Sequence, residues 1–152
     1  MNAEMIREWN QLVDPADTVY MLGDIAFTSA DKAAGIVNSL NGRKILIKGN
    51  HDSKTIKDKR FTSCFDEIHD YLDITFNGYH VVMFHYPICE WNRMHHGAVH
   101  LYGHLHQNKS GLEQYRARNV GWDYTGRLLT RMEDMVSDAL KGAIKSHHNK
   151  VV

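Results

Sequence analysis

Arg43-Lys44-Ile45-Leu46-Ile47-Lys48-Gly49-Asn50-His51-Asp52 decides the fold. Its apolar centre is too short for a helix and reads as a buried strand. A strand delivers the first residue beyond its end to one rim of a sheet. Here that rim receives Gly49 and then Asn50, His51 and Asp52, side chains that ligate metals or carry protons. Three other short apolar runs end the same way. Val19-Tyr20-Met21-Leu22 runs into Gly23-Asp24, His80-Val81-Val82-Met83-Phe84 into His85-Tyr86-Pro87, and Val99-His100-Leu101-Tyr102 into Gly103-His104-Leu105-His106. Four such rims, placed side by side, gather Asp, Asn and several His at one point and predict a metal site.

The segments between these runs predict a single α/β domain. Met5, Ile6, Trp9, Leu12 and Val13 recur at helical spacing, and Asp14-Pro15 ends that helix. Ala33, Ile36, Val37 and Leu40 mark a second helix, with Asn41-Gly42 expected at its C-cap. Ser53 to Arg60 is polar helix or loop. Tyr71 to Phe84 reads as a hairpin turning at Asn77-Gly78, a pair suited to a type I′ turn. Arg116 to Val120 is a further strand candidate. Thr130 with Glu133 three residues on predicts a capping box, opening a helix whose apolar face runs from Met132 to Ile144. The stretch from Ser146 to Val152 is a polar tail.

Composition narrows the function classes. The 152 residues suit one core, and 43% apolar with 24% charged residues is ordinary for a globular protein. Lys plus Arg equals Asp plus Glu at 18 each, so bulk charge gives no strong nucleic-acid signal. No stretch approaches membrane-spanning length, and the first 13 residues lack a signal-peptide apolar region. Cys64 and Cys89 have no paired spacing and read as reduced thiols, which predicts a cytoplasmic protein. The unusual count is His, at 11.

Asp24 offers a carboxylate able to bridge two cations, Asn50 an amide oxygen, and His85, His104 and His106 imidazole nitrogens. This thiolate-free set suits divalent manganese, iron, zinc or nickel, with manganese favoured. His104 and His106 alternate at period two, so in an extended chain they point apart; a local turn and two adjacent metals would use both. Two metals about 3.5–4 Å apart clamp a phosphoryl group and activate water. His51, beside Asn50, is placed to protonate a leaving alkoxide, and Asp52 to orient His51. Singly, Asp24 reads as a turn residue, His51 as a loop residue and His85 as a buried histidine; together, four ordered motifs outweigh those readings. His95, His96 and His100 are expected in supporting or surface contacts, and His147 and His148 in a solvated terminus. Trp9, Trp91 and Trp122 are expected in packing. Lys54, Lys57, Lys59 and Arg60 read as a solvated face near a phosphate site.

Through Gly23-Asp24, Gly49-Asn50-His51-Asp52, His85-Tyr86-Pro87 and Gly103-His104-Leu105-His106, in that order, the chain resembles the calcineurin-like metallophosphoesterases. Glu90-Trp91-Asn92, His95-His96-Gly97 and Asn119-Val120-Gly121 resemble the small bacterial and phage cytosolic members. The resemblance reaches from the first helix to about Asp123. It implies a layered β-sandwich flanked by helices. It also implies Asp24 as the bridging ligand, Asn50, His85 and His104 on one metal, and His106 on the other. His51 would stand beside the scissile phosphate of a small phosphomonoester or phosphodiester, attacked by a metal-bound hydroxide.

The family's opening strand and its DxH motif have no counterpart upstream of Asp24. The expectation is therefore a fold missing its first strand, with the metal site holding His106 incomplete and self-association as one way to cover the gap. A one-metal-binding, catalytically impaired fragment and an interaction scaffold of the same fold are the alternatives to the hydrolase.

Overall fold

The computed structural model describes residues 3–25 and 28–146; His147 and His148 lie outside them. Helix α1 (Ala3–Leu12) leads into β1 (Thr18–Met21), α2 (Ala30–Asn38) into β2 (Arg43–Ile47), and the short α3 (Lys59–Thr62) into β3 (Glu67–His69). These strands form a parallel sheet in the order β1-β2-β3. Next come β4 (Tyr71–Phe76), β5 (Tyr79–Phe84), β6 (Val99–Tyr102) and β7 (Ala117–Asn119), a mixed sheet in that order. β4 and β5 are antiparallel; β5, β6 and β7 are parallel. The chain closes with α4 (Trp122–Thr125) and α5 (Met132–Ala139). The result is a mixed α/β fold of two sheets with flanking helices.

Side-chain alternation assigns the layers. Ile45 and Ile47 of β2 meet Val81 and Met83 of β5 and Val99 and Leu101 of β6 in one core between the sheets. Leu46 points the other way, onto Trp9, Val37 and Phe61 from the three N-terminal helices. Val82 likewise leaves the central core for Trp91, Tyr102 and Ala117. Each such fully buried aliphatic side chain contributes roughly 1.5–3 kcal/mol, so the strands are held on both faces.

The register places the rims. Met21 lies opposite Leu46, and Leu101 opposite Met83, so the first sheet delivers Gly23 and Gly49 to one end and the second delivers His85 and Gly103. Gly103 N–H donates to the His85 carbonyl at 3.0 Å, tying the second pair together. The Asn77-Gly78 turn has positive φ at both residues (48° and 80°), as a type I′ turn requires.

Several local expectations are corrected. α2 stops at Asn38 and is capped by Ser39, not Asn41-Gly42; Asn41 instead receives the Trp9 indole N–H at its carbonyl (3.0 Å) and so binds α1 to α2's exit. No capping box forms at Thr130. Arg131 flanks α5 without a side-chain cap, and Glu133 lies 3.4 Å from its guanidinium. That helix ends at Ala139, because Ala143 bridges to Tyr115. Strand β3 adds a partner to β2 that the apolar pattern does not announce. Among the described residues β1 pairs only with β2. Its neighbourhood borders a trench of about 780 Å³ lined by Val19, Leu22, Phe76, Met83, Leu101 and Met132.

Candidate metal centre

The first two rims touch backbone to backbone. Gly23 is left-handed (φ 89°), and a Cβ there would fall 2.5 Å from the Gly49 nitrogen and 2.6 Å from His85 Nδ1. A Cβ on Gly49 would fall 2.6 Å from the Asp24 nitrogen. Only glycine permits this approach. Asp24 itself is left-handed (φ 54°), and its Oδ1 accepts the His51 backbone N–H at 2.9 Å.

Asp52 clamps the two turns. It is fully buried; Oδ2 accepts from Asp24 N–H and Gly49 N–H, both at 2.8 Å, and Oδ1 accepts from Ile25 N–H at 3.1 Å. This replaces the expected role of orienting His51: both carboxylate oxygens serve backbone amides that fix where Asp24 and Asn50 begin. His51 is exposed at the rim, near enough for its charge to bear on His104.

His85 is the centre of the cluster, 1% exposed. Its Nδ1 lies 2.6 Å from the Leu22 carbonyl oxygen, which can only accept, so Nδ1 carries the hydrogen and joins the two sheets. In the neutral ring Nε2 is then a lone pair. Around it stand Asn50 Oδ1 at 3.0 Å, Asp24 Oδ2 at 3.2 Å and His104 Nδ1 at 3.2 Å. Two imidazole nitrogens and two side-chain oxygens converge on one another, and a divalent cation satisfies all four at once. Ligand atoms of Asp24, His85 and His104 lie within 4.8 Å of one another, the one such acidic or imidazole group among the described residues. Burial, and then the neighbouring His85, hold the His104 imidazole below its ordinary range, which keeps it neutral and able to ligate.

His104 and His106 both adopt left-handed backbone (φ 65° and 52°), the local turn that period-two ligands need. The structure does not bring His106 into the triad. Its ring is 68% exposed, and Nδ1 lies 2.6 Å from Asp123 Oδ2. A carboxylate on Nδ1 fixes the tautomer and leaves the lone pair on Nε2, the atom that could ligate. Buried Asn119 sets this pair, donating to the His106 carbonyl (3.1 Å) and accepting from Gly121 N–H (2.8 Å) just before α4. Asp123 and the clamp role of Asp52 were not foreseen from the sequence. The Tyr86 ring packs on His104 at 4.5 Å between ring centres.

His100, expected in a supporting contact, is fully buried behind the His85 loop. Its Nδ1 lies 3.1 Å from the Val82 carbonyl, and its Nε2 accepts from Ile88 N–H at 3.2 Å. Burial pushes its imidazole down to about 4 from 6.5. Above pH 6.5 the folded and unfolded chains both carry it neutral. As pH falls from 6.5 toward 4 the unfolded chain binds a proton that the folded chain refuses, so stability drops by on the order of 3 kcal/mol across that window. Urea midpoints measured from pH 7 to pH 4 should fall accordingly. A His100→Gln variant, which cannot titrate, should start less stable and lose less; equal losses would remove His100 as the cause.

No protein-family model matches the chain. It is 32% identical over 117 residues to the uncharacterized protein MJ1445 of Methanocaldococcus jannaschii, covering 76% of this chain and 57% of that protein. The chain therefore spans little more than half the length of that archaeal relative. It is 26% identical over 161 residues to the gene 66 protein of Mycobacterium phage L5, covering 87% of this chain and 78% of that one. Among solved structures it is similar to the protein of unknown function AQ665 from Aquifex aeolicus. There the TM-score is 0.61 at 28% identity, with 81% of this chain and 76% of that chain covered. That likeness supports a shared α/β architecture. No helix among the described residues is long and apolar enough to cross a membrane.

Proposed function

We propose that this chain is a metal-dependent phosphoesterase with a metallophosphoesterase-like fold, acting on small phosphomonoesters or phosphodiesters. The observation that carries the reading is the convergence of Asn50, Asp24 and His104 on the His85 Nε2 lone pair. Asp24, Asn50, His85 and His104 would hold one divalent cation, and Asp24 with His106 would face a second. Bound divalent cations supply positive charge to phosphoryl oxygens and lower the pKa of water. The protein supplies the rest. Asp52 holds the two ligand turns against each other, and Asp123 keeps His106 in its ligating tautomer. His51, on the exposed rim beside Asn50, gives a ring proton to the leaving alkoxide oxygen. Two free thiols, Cys64 and Cys89, accord with a cytoplasmic setting.

The test is manganese-dependent hydrolysis of bis-p-nitrophenyl phosphate. Asp24→Ala should abolish turnover, and His51→Ala should lower kcat by roughly 100-fold or more, the scale of a lost proton donor. Rates in both variants equal to the parent's would sink the assignment. The exposed position of His106, apart from the triad, favours a one-metal binder as the second reading. Metal content after dialysis separates them: two manganese ions per chain with turnover supports the phosphoesterase, one without turnover the binder.

A further inference from the structure

The loop between His85 and β6 builds a second polar cavity, of about 640 Å³, walled by Tyr71, Glu90, Arg93, His95 and His96 among others. It is an open depression, so a ligand seated there keeps one side in solvent. The loop is fastened from three sides. Asn92 donates its backbone N–H to Tyr71 Oη (3.2 Å) and its side-chain amide to Asp73 Oδ2 (2.6 Å). Trp91 Nε1 donates to the Ala98 carbonyl at 2.9 Å, and His95 Nδ1 to the Lys145 carbonyl at 2.5 Å. Arg93 is held left-handed (φ 59°), a strained state for a residue with a side chain. Despite this anchoring, the side chains of Glu90, Arg93 and His96 form no hydrogen bond or ion pair among the described residues. All three residues are exposed, so their polar ends are accessible from the cavity.

An aromatic path joins this cavity to the metal centre. Tyr86 packs on His104 at 4.5 Å between ring centres, Phe84 on Tyr86 at 5.8 Å, and Tyr71 on Phe84 at 6.1 Å. Tyr71 and Tyr86 are among the exposed large hydrophobics. Exposed rings beside a cavity favour a planar ligand that can stack. The cavity's charges narrow the class. Arg93 offers donors and Glu90 an acceptor, and the carboxylate disfavours a second phosphate. A neutral ring with donors and acceptors on its edge fits both.

We propose that this cavity binds the nucleobase of a nucleoside phosphate ester, seating the organic part of the substrate while its phosphate lies at the metal centre. This rests on the phosphoesterase reading for its catalytic consequence, though the binding does not. The experiment compares thymidine 5′-(p-nitrophenyl phosphate) with methyl p-nitrophenyl phosphate, in manganese, for the parent, Glu90→Gln and Arg93→Gly. Glycine suits the left-handed backbone at 93, so that variant should fold. The parent should prefer the thymidine ester by roughly 10-fold in kcat/KM, the scale of one stacked base with edge contacts. Each variant should shrink that preference by raising KM for the thymidine ester alone. Equal use of the two esters by the parent, or parallel losses on both in the variants, would overturn the proposal. If the parent cleaves neither ester, the phosphoesterase reading fails, and equilibrium dialysis with thymidine decides the cavity by itself. Binding that is lost in Arg93→Gly supports it, and absent binding overturns it.

Discussion

Asp52→Ala is expected to destabilise the protein by on the order of 4 kcal/mol, because it removes a buried charged acceptor from three backbone donors at once, one buried and two part-buried. The backbone N–H groups of Asp24, Gly49 and Ile25 all end on this one carboxylate, which is itself fully buried. Each buried donor left unpaired costs roughly 1–3 kcal/mol, and bonds to a charged acceptor stand at the upper end. Asp52→Asn keeps the shape and one acceptor oxygen, but turns an NH2 group toward one of the donors. Its loss should be about half as large. Urea unfolding at pH 7 measures both. Because the carboxylate holds the turns that begin Asp24 and Asn50, manganese affinity should fall in the same order as stability. A loss under about 1 kcal/mol in Asp52→Ala would show that water replaces the carboxylate and that the turns stand without it.

The sequence discloses the ends of strands better than what surrounds them. The runs before Gly23, Gly49, His85 and Gly103 are short, apolar and bounded, and parallel pairing then forces their ends to one side. The Asn77-Gly78 hairpin is legible for the same local reason: two positive φ values select those two residues. Strand β3 is not legible, because Glu67-Ile68-His69 offers one apolar residue and no period; its pairing with β2 makes it a strand. The Asp123–His106 contact joins residues brought together by the Asn119–Gly121 turn, and no spacing rule covers it. Adjacency misleads at Asp52. Neighbours in a tight turn point different ways, so the residue after His51 serves the backbone behind it. The convergence of Asp24, Asn50, His85 and His104 could be read because strand ends sit at rims; the groups that hold them in place could not, because backbone donors carry no sequence signature.

Gly49→Ala is expected to empty the site while leaving most of the fold in place. The new Cβ would stand 2.6 Å from the Asp24 nitrogen and closer still to its carboxylate, where real Cβ contacts do not occur. The neighbour is backbone on one side and a proposed metal ligand on the other, so no flexible side chain can yield. The Gly23-Asp24 turn must move, and Asp52's bonds with it. The cost in stability should be about 2–3 kcal/mol, as for an overpacked core. The cost in manganese affinity should be roughly 10–100-fold, the penalty for disturbing the groups that orient a ligand. Gly35→Ala is the matched control. It lies in α2 with nothing within 4 Å of the added Cβ, so it should leave metal binding unchanged and raise stability by about 0.5–1 kcal/mol. Calorimetric titration with manganese alongside urea unfolding reads both quantities. Parent-like affinity in Gly49→Ala would mean that Asp24 does not ligate from this turn, and the metal centre assigned here would have to be abandoned.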